Sequence, residues 1–206
     1  MILHAATSNA GKLAEFATSA AVAGAEVLAL PGLGAMPEPV EDADTFLGNA
    51  ELKARAYSVL APGLLVLCDD SGIAVDALGG APGVRSARYA DDEMDGILMH
   101  PPLTRDQRNN ALLLSRMRSK SNRRASFVCA LALARDGEVL LRAEGFCSGE
   151  LLDQPRGDKG FGYDPLFLIP ALGLTMAELP REQKWRISHR GNAFRALLAQ
   201  LEGAAL

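Results

Sequence analysis

Leu64-Leu65-Val66-Leu67-Cys68-Asp69-Asp70-Ser71-Gly72 is the stretch on which the fold and the function of this chain both turn. Its first four residues form an apolar run that reads as a short buried strand, and two adjacent carboxylates follow. Charged side chains at the end of a buried strand serve no packing purpose. In an open α/β sheet, the crevice beyond the carboxyl ends of the strands is where ligands bind. Ser71 adds a hydroxyl, and Gly72 lets the backbone turn or approach a ligand closely. The same composition also suits a polar turn in which Asp69 or Asp70 caps the local backbone. The next residues favour a shaped backbone around an ionic ligand: Asp76, then Gly79-Gly80-Ala81-Pro82-Gly83, then Arg85-Ser86-Ala87-Arg88-Tyr89.

Upstream, Ile2 to Ala6 is a second apolar run. It ends in Thr7-Ser8-Asn9-Ala10-Gly11-Lys12, after which Leu13, Phe16 and Ala17 take helical spacing. That is strand, polar turn, helix, and the amides and dipole of a helix start favour an anion. Lys12 can reach the same anion, although the Gly-x-x-x-x-Gly-Lys-Ser/Thr spacing of a Walker loop is absent. Glu26 to Leu30 predicts another strand and Pro31 to Pro39 a loop. A helix capped by Thr45 or Asp44 runs to about Leu60, with Phe46, Ala50, Ala54 and Tyr57 on one stripe. Asn49 and Lys53 stand at i and i+4 beside that stripe, and Glu41 lies just upstream, where it can meet a metal or a cation.

Downstream, Asp91 to Pro102 predicts an exposed loop and Thr104 to Met117 a helix. Ala125 to Ala134 and Glu138 to Gly145 are β-rich runs around Asp136-Gly137, a strong hairpin signal. Phe161-Gly162-Tyr163-Asp164 combines aromatic faces, glycine access and a carboxylate, which suits stacking on a flat base. Leu166 to Ile169 is apolar, Thr175 to Lys184 predicts helix, at least around Met176 to Leu179, and Arg186 to Leu201 closes the chain as a helix that Ser188 can cap. Lys184, His189 and Arg190 bring positive charge to that helix start, where it opposes the macrodipole unless an anion is present. Arg105, Arg108, Arg116, Arg118, Lys120, Arg123 and Arg124 read as a solvated helix face and loop.

The 206 residues suffice for one well-packed core or two lobes around a cleft, and the mixture of strand-helix units with a central hairpin predicts an elongated α/β or α+β domain. A net charge of −4 argues against duplex DNA as a partner but leaves room for a small phosphorylated ligand. Cys68, Cys129 and Cys147 are odd in number, form no Cys-x-x-Cys pair and sit in or beside apolar runs. They predict buried free thiols in a reducing compartment. The start Met1-Ile2-Leu3-His4 predicts no signal peptide, and no segment approaches the apolar length of a membrane span. The expected localisation is cytoplasmic. No Cys/His cluster has zinc spacing, and no Gly-x-Ser-x-Gly elbow accompanies the histidines His4, His100 and His189.

Six blocks occur in order: Thr7 to Lys12; Glu41-x-x-x-Thr45-Phe46-x-x-Asn49-Ala50-x-x-Lys53-Ala54; Asp69 to Gly72; Gly79 to Gly83 with Ser86 to Tyr89; Gly160 to Pro165; and Ile187-Ser188-His189-Arg190-Gly191. Together they resemble the inosine triphosphate pyrophosphatase family, the HAM1-like non-canonical purine nucleoside triphosphate pyrophosphatases. The likeness runs from about Ile2 to Leu198. It implies a single domain over residues 1–206, with an elongated central mixed sheet, flanking helices and two lobes around a substrate cleft. It further implies a homodimer, Mg²⁺ as cofactor, and hydrolysis of ITP, dITP or XTP to the monophosphate and pyrophosphate. Neither a nucleic acid polymer nor a membrane is an expected partner.

By position, the resemblance assigns Thr7, Ser8, Asn9, Ala10, Gly11 and Lys12 to substrate phosphate. Asp70 becomes the catalytic acceptor and a metal ligand, Glu41 the second metal ligand and Asp69 a weaker candidate. Ser71, Lys53, Phe161, Gly162, Tyr163, Asp164, Lys184, His189 and Arg190 complete the substrate set. Arg190 and His189, as donors, would match the keto oxygen at position 6 of hypoxanthine or xanthine. The chain departs from the family at Gly48, where an acid usually precedes the helix asparagine, and at Asp91, where the family has glycine after Tyr89-Ala90.

Overall fold

β1 (Ile2–Ala5) runs parallel to two neighbours, and parallel neighbours require crossovers. The chain supplies them with α1 (Ala10–Val22), leading to β2 (Glu26–Ala29), and α2 (Phe46–Leu60), leading to β3 (Val66–Val75). β2 and β3 lie on opposite sides of β1 in the sheet. The chain leaves β1 toward β2 on one side and leaves β3 toward the next strand, Arg124–Arg135, on the other, which makes the carboxyl ends of β1 and β3 a topological switch point. The computed structural model describes residues 1–22, 24–93 and 103–203.

Next come α3 (Tyr89–Glu93), α4 (Arg105–Met117), β4 (Arg124–Arg135) and β5 (Glu138–Leu151). Asp136 and Gly137 carry φ of 51° and 84° between β4 and β5, the paired positive angles that a two-residue hairpin turn needs. β6 (Phe167–Ile169) pairs antiparallel with β5 and with β7 (Leu174–Thr175), and α5 (Arg181–Ile187) and α6 (His189–Glu202) end the chain. Among the described residues, the result is a mixed seven-stranded sheet in the order β2-β1-β3-β4-β5-β6-β7 with six α-helices, the expected α/β class.

Internal contacts gather the chain into two units, each assembled from separate stretches. The first comprises Met1–Ser71, Cys129–Phe146 and Trp185–Leu206. Its sheet is buried on both faces, and alternate residues enter different cores. Leu3, Ala5, Leu67, Cys129, Leu131 and Leu133 pack with Phe16 of α1 and with Phe194 and Leu197 of α6. Val66, Cys68, Ala130, Ala132 and Ala134 pack instead with Ala50, Ala54 and Tyr57 of α2. Alanine on this second face lets α2 lie close to the sheet. Trp185 meets Phe16 edge-on at 6.2 Å and closes the first core.

The second unit comprises Gly72–Val128 and Cys147–Lys184. Phe127 and Phe167 stack at 4.3 Å within it, and Ile73, Leu113, Met117, Leu166 and Met176 are fully buried.

Five expectations change. The Asp69-Asp70-Ser71-Gly72 block is not a turn after a short strand but the middle of the ten-residue β3. Gly72 makes a close approach not to a ligand but to the chain itself: a Cβ there would stand 2.2 Å from Ser86 Oγ and 2.7 Å from Gly83 O. Met176 to Leu179 form a turn rather than a helix, and α5 begins only after Pro180; proline sits comfortably at a helix start and not within one. The closing helix is two helices, because Ser188 ends α5 and caps α6 through a hydrogen bond from Gly191 N. Of the loop expected over Asp91 to Pro102, residues Asp91 to Glu93 lie in α3, and 94–102 fall outside the described residues.

Gly145 is where α6 is set against β5: an added Cβ would lie 2.2 Å from Ala193 N and 2.3 Å from His189 O. Both obstacles are backbone, so Gly145→Ala is expected to destabilise the protein by about 3 kcal/mol, the upper range for overpacking, read as a lower urea midpoint. The three cysteines are buried and unpaired. Burial pushes Cys129 up to about 12 and Cys147 up to about 11, and raises Cys68 as well. Thiolate is the reactive form, so at pH 8 the native protein is expected to resist a disulfide reagent, and all three thiols should react once it is unfolded.

Candidate active site

β1 ends at Ala5, which is in register with Leu67 of β3. Beyond that point β3 continues past the end of β1, and Asp69 and Asp70 occupy this extension. Successive strand residues point to opposite faces. Asp69 therefore shares the face of Leu67, toward α1 and α6, while Asp70 shares that of Cys68, toward α2. Two neighbouring carboxylates thus meet two different environments.

Asp69 is buried and surrounded by cations. Lys12 Nζ donates to its Oδ2 at 2.8 Å, and Arg190 Nε lies 3.8 Å from the same oxygen. Ser71 Oγ also approaches it, at 3.5 Å. Burial alone would raise this carboxyl's pKa, but Lys12, Arg190 and Lys53 together outweigh it and hold the group far below the usual carboxylate range. Arg190, 3% exposed, completes the cluster by donating from Nη1 to Glu15 Oε2 at 3.2 Å and from Nη2 to Ser71 Oγ at 3.3 Å. The anion that the cations at the start of α6 call for is therefore supplied in part by Asp69 and Glu15. His189 is buried beside Arg190 at the same helix start.

Asp70 is held differently. Asn49 Nδ2 donates to its Oδ2 at 3.1 Å and the Ser71 amide to its Oδ1 at 3.1 Å. Asn49 is itself fixed, 1% exposed, with Oδ1 accepting from the Ala43 amide at 3.0 Å. Lys53 Nζ stands 3.0 Å from Glu41 Oε2 and 3.7 Å from Asp70 Oδ1. Burial raises the Asp70 carboxyl; Lys53 and Asn49 pull it back, and the balance leaves it above its ordinary value. Burial works to lower the Lys53 pKa, yet Asp70, Asp69 and Glu41 overcome it and keep the ammonium charged. Thr45 caps α2 by accepting from the Gly48 amide at 3.0 Å. A side chain on Gly48 would come within 2.7 Å of Ala43 Cβ, which accounts for glycine at this departure from the family pattern.

In the loop Thr7 to Lys12, Thr7 Oγ1 accepts from the Asn9 amide at 3.2 Å and Asn9 Oδ1 from the Lys12 amide at 3.1 Å. The side-chain cap leaves Ser8, Asn9, Ala10 and Gly11 exposed at the start of α1. The first unit thus brings together Thr7 to Lys12, Glu41, Lys53, Asp69, Asp70, Ser71, His189 and Arg190.

The remaining candidates form a cluster in the second unit. Asp164 Oδ2 accepts from the Phe161 amide at 2.9 Å and forms a short ion pair with Lys184 Nζ. That ammonium lies 5.4 Å from the centroid of the Phe161 ring, which is 42% exposed. Tyr163 is buried, and its hydroxyl donates to Ser86 O at 2.8 Å. Arg123, expected on a solvated face, instead binds the carbonyls of Met117, Leu151 and Leu152 at 2.9 to 3.1 Å.

Residues 3–200 match the Ham1 family. This chain belongs to it. A dITP/XTP pyrophosphatase of Acidobacterium capsulatum is 52% identical, the alignment covering 98% of this chain and 99% of the relative. A Deinococcus radiodurans protein of the same name is 47% identical over 94% of this chain and 90% of its own. Among solved structures, the Staphylococcus aureus Ham1 protein superimposes with a TM-score of 0.82 at 38% identity, covering 98% of this chain and 99% of that one. A HAM1 protein from Coxiella burnetii gives 0.83 at 34% identity, covering 99% and 100%.

The sequence reading had not raised Glu15, and it had placed Asn49 beside Lys53 without giving it a role in the site. Glu15 stands three residues after Lys12 on α1, so helical spacing alone put both on one face. Asp69→Asn leaves Lys12 and Arg190 short of a buried counter-charge. It is expected to cost about 3 kcal/mol, the range for breaking one side of a buried pair, with Trp185 emission following the earlier urea transition.

Proposed function

We propose that this chain hydrolyses non-canonical purine nucleoside triphosphates, ITP, dITP and XTP, to the nucleoside monophosphate and pyrophosphate. The observation that carries the proposal is the pair Asp69 and Asp70 on opposite faces of β3 at the switch point. One is locked as an ion between Lys12 and Arg190, and the other is held above its ordinary pKa beside Lys53. Carboxylates whose environments push them apart divide the work of structure and proton transfer between them. The dITP/XTP pyrophosphatase names of its relatives support the same substrate class.

The donor set tests the implied metal. Asp70 and Glu41 converge on one cation already, the Lys53 ammonium, and both offer hard oxygens. No group of three or more His, Cys, Asp or Glu side chains suited to a metal is present among the described residues. Two carboxylates plus phosphate and water oxygens is the usual set for Mg²⁺, so the residues fit. When bound there, Mg²⁺ would neutralise phosphate charge and polarise a water.

The chain's own groups account for the rest. The exposed start of α1 and Lys12 receive phosphate oxygens, and Lys53 adds a second positive charge. Asp70, fixed by Asn49, accepts the proton as water attacks the α-phosphorus, and the electron pair of the broken anhydride bond leaves on pyrophosphate. Phe161 offers an exposed ring face for the purine, beside Lys184 and Asp164, and Arg190 holds Asp69 and Ser71 in place. The active enzyme is proposed to be a homodimer and cytoplasmic, a compartment that suits three unpaired thiols.

Chromatography of the products from ITP is expected to show IMP and pyrophosphate; IDP with orthophosphate would refute the proposal. Asp70→Asn is expected to lose nearly all turnover, at least about a thousandfold for a group that takes the proton, while keeping the wild-type urea midpoint. Glu41→Gln is expected to raise the Mg²⁺ concentration needed for half-maximal rate.

A further inference from the structure

The loop bearing Phe161 is anchored by more than its own residues. Gly162 is gripped on both of its backbone polar groups by a single helix. Asp106 Oδ2 of α4 accepts from the Gly162 amide at 2.7 Å, and Asn110 Nδ2, one turn later, donates to the Gly162 carbonyl at 3.0 Å. Side chains at i and i+4 lie on one helix face, so this face presents an acceptor and a donor at the spacing of one residue's N–H and C=O.

The helix is fixed in its turn. A capping box at Thr104 and Gln107 starts it. Next to Asn110, the buried Asn109 accepts from the Ala90 amide at 2.8 Å and donates to the carbonyls of Ser86 and Ala87 at 3.2 Å. Ser86 O is also the acceptor for the Tyr163 hydroxyl. The loop and the helix that holds it therefore share one anchor. With Gly162 clamped, Tyr163 buried and Asp164 engaged by the Phe161 amide and Lys184, the Phe161 ring is the one exposed side chain of the four.

We propose that Asp106 and Asn110 are positioning residues that set the Phe161 ring as the platform for the purine of the substrate. The inference rests on the proposed role of Phe161 in contacting the base. Gly162, with φ of 62°, has no side chain to pack, and a Cβ added there would meet nothing within 4 Å, so these two hydrogen bonds join that of the Phe161 amide to Asp164 in setting the orientation of the ring. A preset ring costs less to order when the base arrives. Loss of either bond should therefore weaken base binding while the chemistry at Asp70 proceeds.

The test is steady-state kinetics on ITP for the full-length wild type, Asp106→Ala, Asp106→Asn and Asn110→Ala, with inhibition by pyrophosphate as a probe lacking a base. Each alanine variant is expected to raise KM about tenfold, the scale of one hydrogen bond to a positioned group, with kcat within about twofold. Asp106→Asn keeps an oxygen that accepts from the Gly162 amide and should return KM to within about threefold of wild type. Because both side chains hold one residue, a variant carrying Asp106→Ala and Asn110→Ala together should raise KM by less than the product of the single effects. The pyrophosphate inhibition constant should stay at the wild-type value throughout.

An unmoved KM in both alanine variants overturns the inference alone. So does a pyrophosphate constant that rises in step with KM, because the two residues would then act on the whole fold. A wild-type protein that releases no pyrophosphate from ITP overturns the proposed function and this inference with it. Should Asp106→Ala fail to fold, Asn110→Ala carries the same comparison.

Discussion

The buried charge of Asp69 is the constraint around which the first unit is arranged. Removing a carboxylate from water costs several kcal/mol, and the cost is recovered only with close counter-charges and hydrogen bonds. Here the counter-charges come from Lys12 on α1 and Arg190 on α6, and the carboxylate sits on β3. The depressed pKa of Asp69 says that the cations win over desolvation. Because the three partners belong to three elements, the pairing fixes where α1 starts and where α6 starts relative to β3. Glu15 then balances the remaining charge of Arg190 from the other side. Such a closed set makes the site stiff before any ligand binds, which is what positioning catalysis asks of a scaffold.

The contrast between Asp69 and Asp70 follows from the period of a strand. Side chains one residue apart leave a sheet on opposite faces, and this sheet carries a different core on each. On one face Asp69 finds Lys12 and Arg190 in contact. On the other Asp70 finds a neutral amide, Asn49, with Lys53 shared between itself and Glu41. No special chemistry in the dipeptide is needed to give its carboxylates opposite shifts.

Local signals in the sequence were reliable where the physics is local. Thr45, Thr104, Ser188 and the pair Asp136-Gly137 mark boundaries through hydrogen bonds and dihedral angles within a few residues. Five of the six blocks that carry the family resemblance are short loops or helix starts, so they too could be read locally. What was not legible depends on distant partners. The Asp69 to Gly72 stretch has turn composition, yet β3 extends through it because its charges are paired from α1, α2 and α6 and Gly72 meets Ser86. Met176 to Leu179 have helical composition, but β7 pairing at Thr175 and the break at Pro180 leave too few residues for a helix. Asp106 and Asn110 carry no motif at all; their meaning lies 56 and 52 residues away, in one glycine.

Every lysine assigned to the substrate rests against a carboxylate: Lys12 on Asp69, Lys53 on Glu41 and Asp70, and Lys184 on Asp164. This arrangement has an energetic logic. An unpaired ammonium in a half-buried site would repel its neighbours and lose its proton more readily, whereas a paired one is held charged and in place. In the proposed role, an arriving phosphate would exchange one oxygen partner for another rather than recruit a mobile side chain, so little conformational entropy would be lost on binding. The exchange favours ligands whose charge density exceeds that of a carboxylate, and a triphosphate meets that condition where a monophosphate does so less well. In that proposed role, the same pairing that holds the lysines without ligand would also help to discriminate substrate from the nucleotide product.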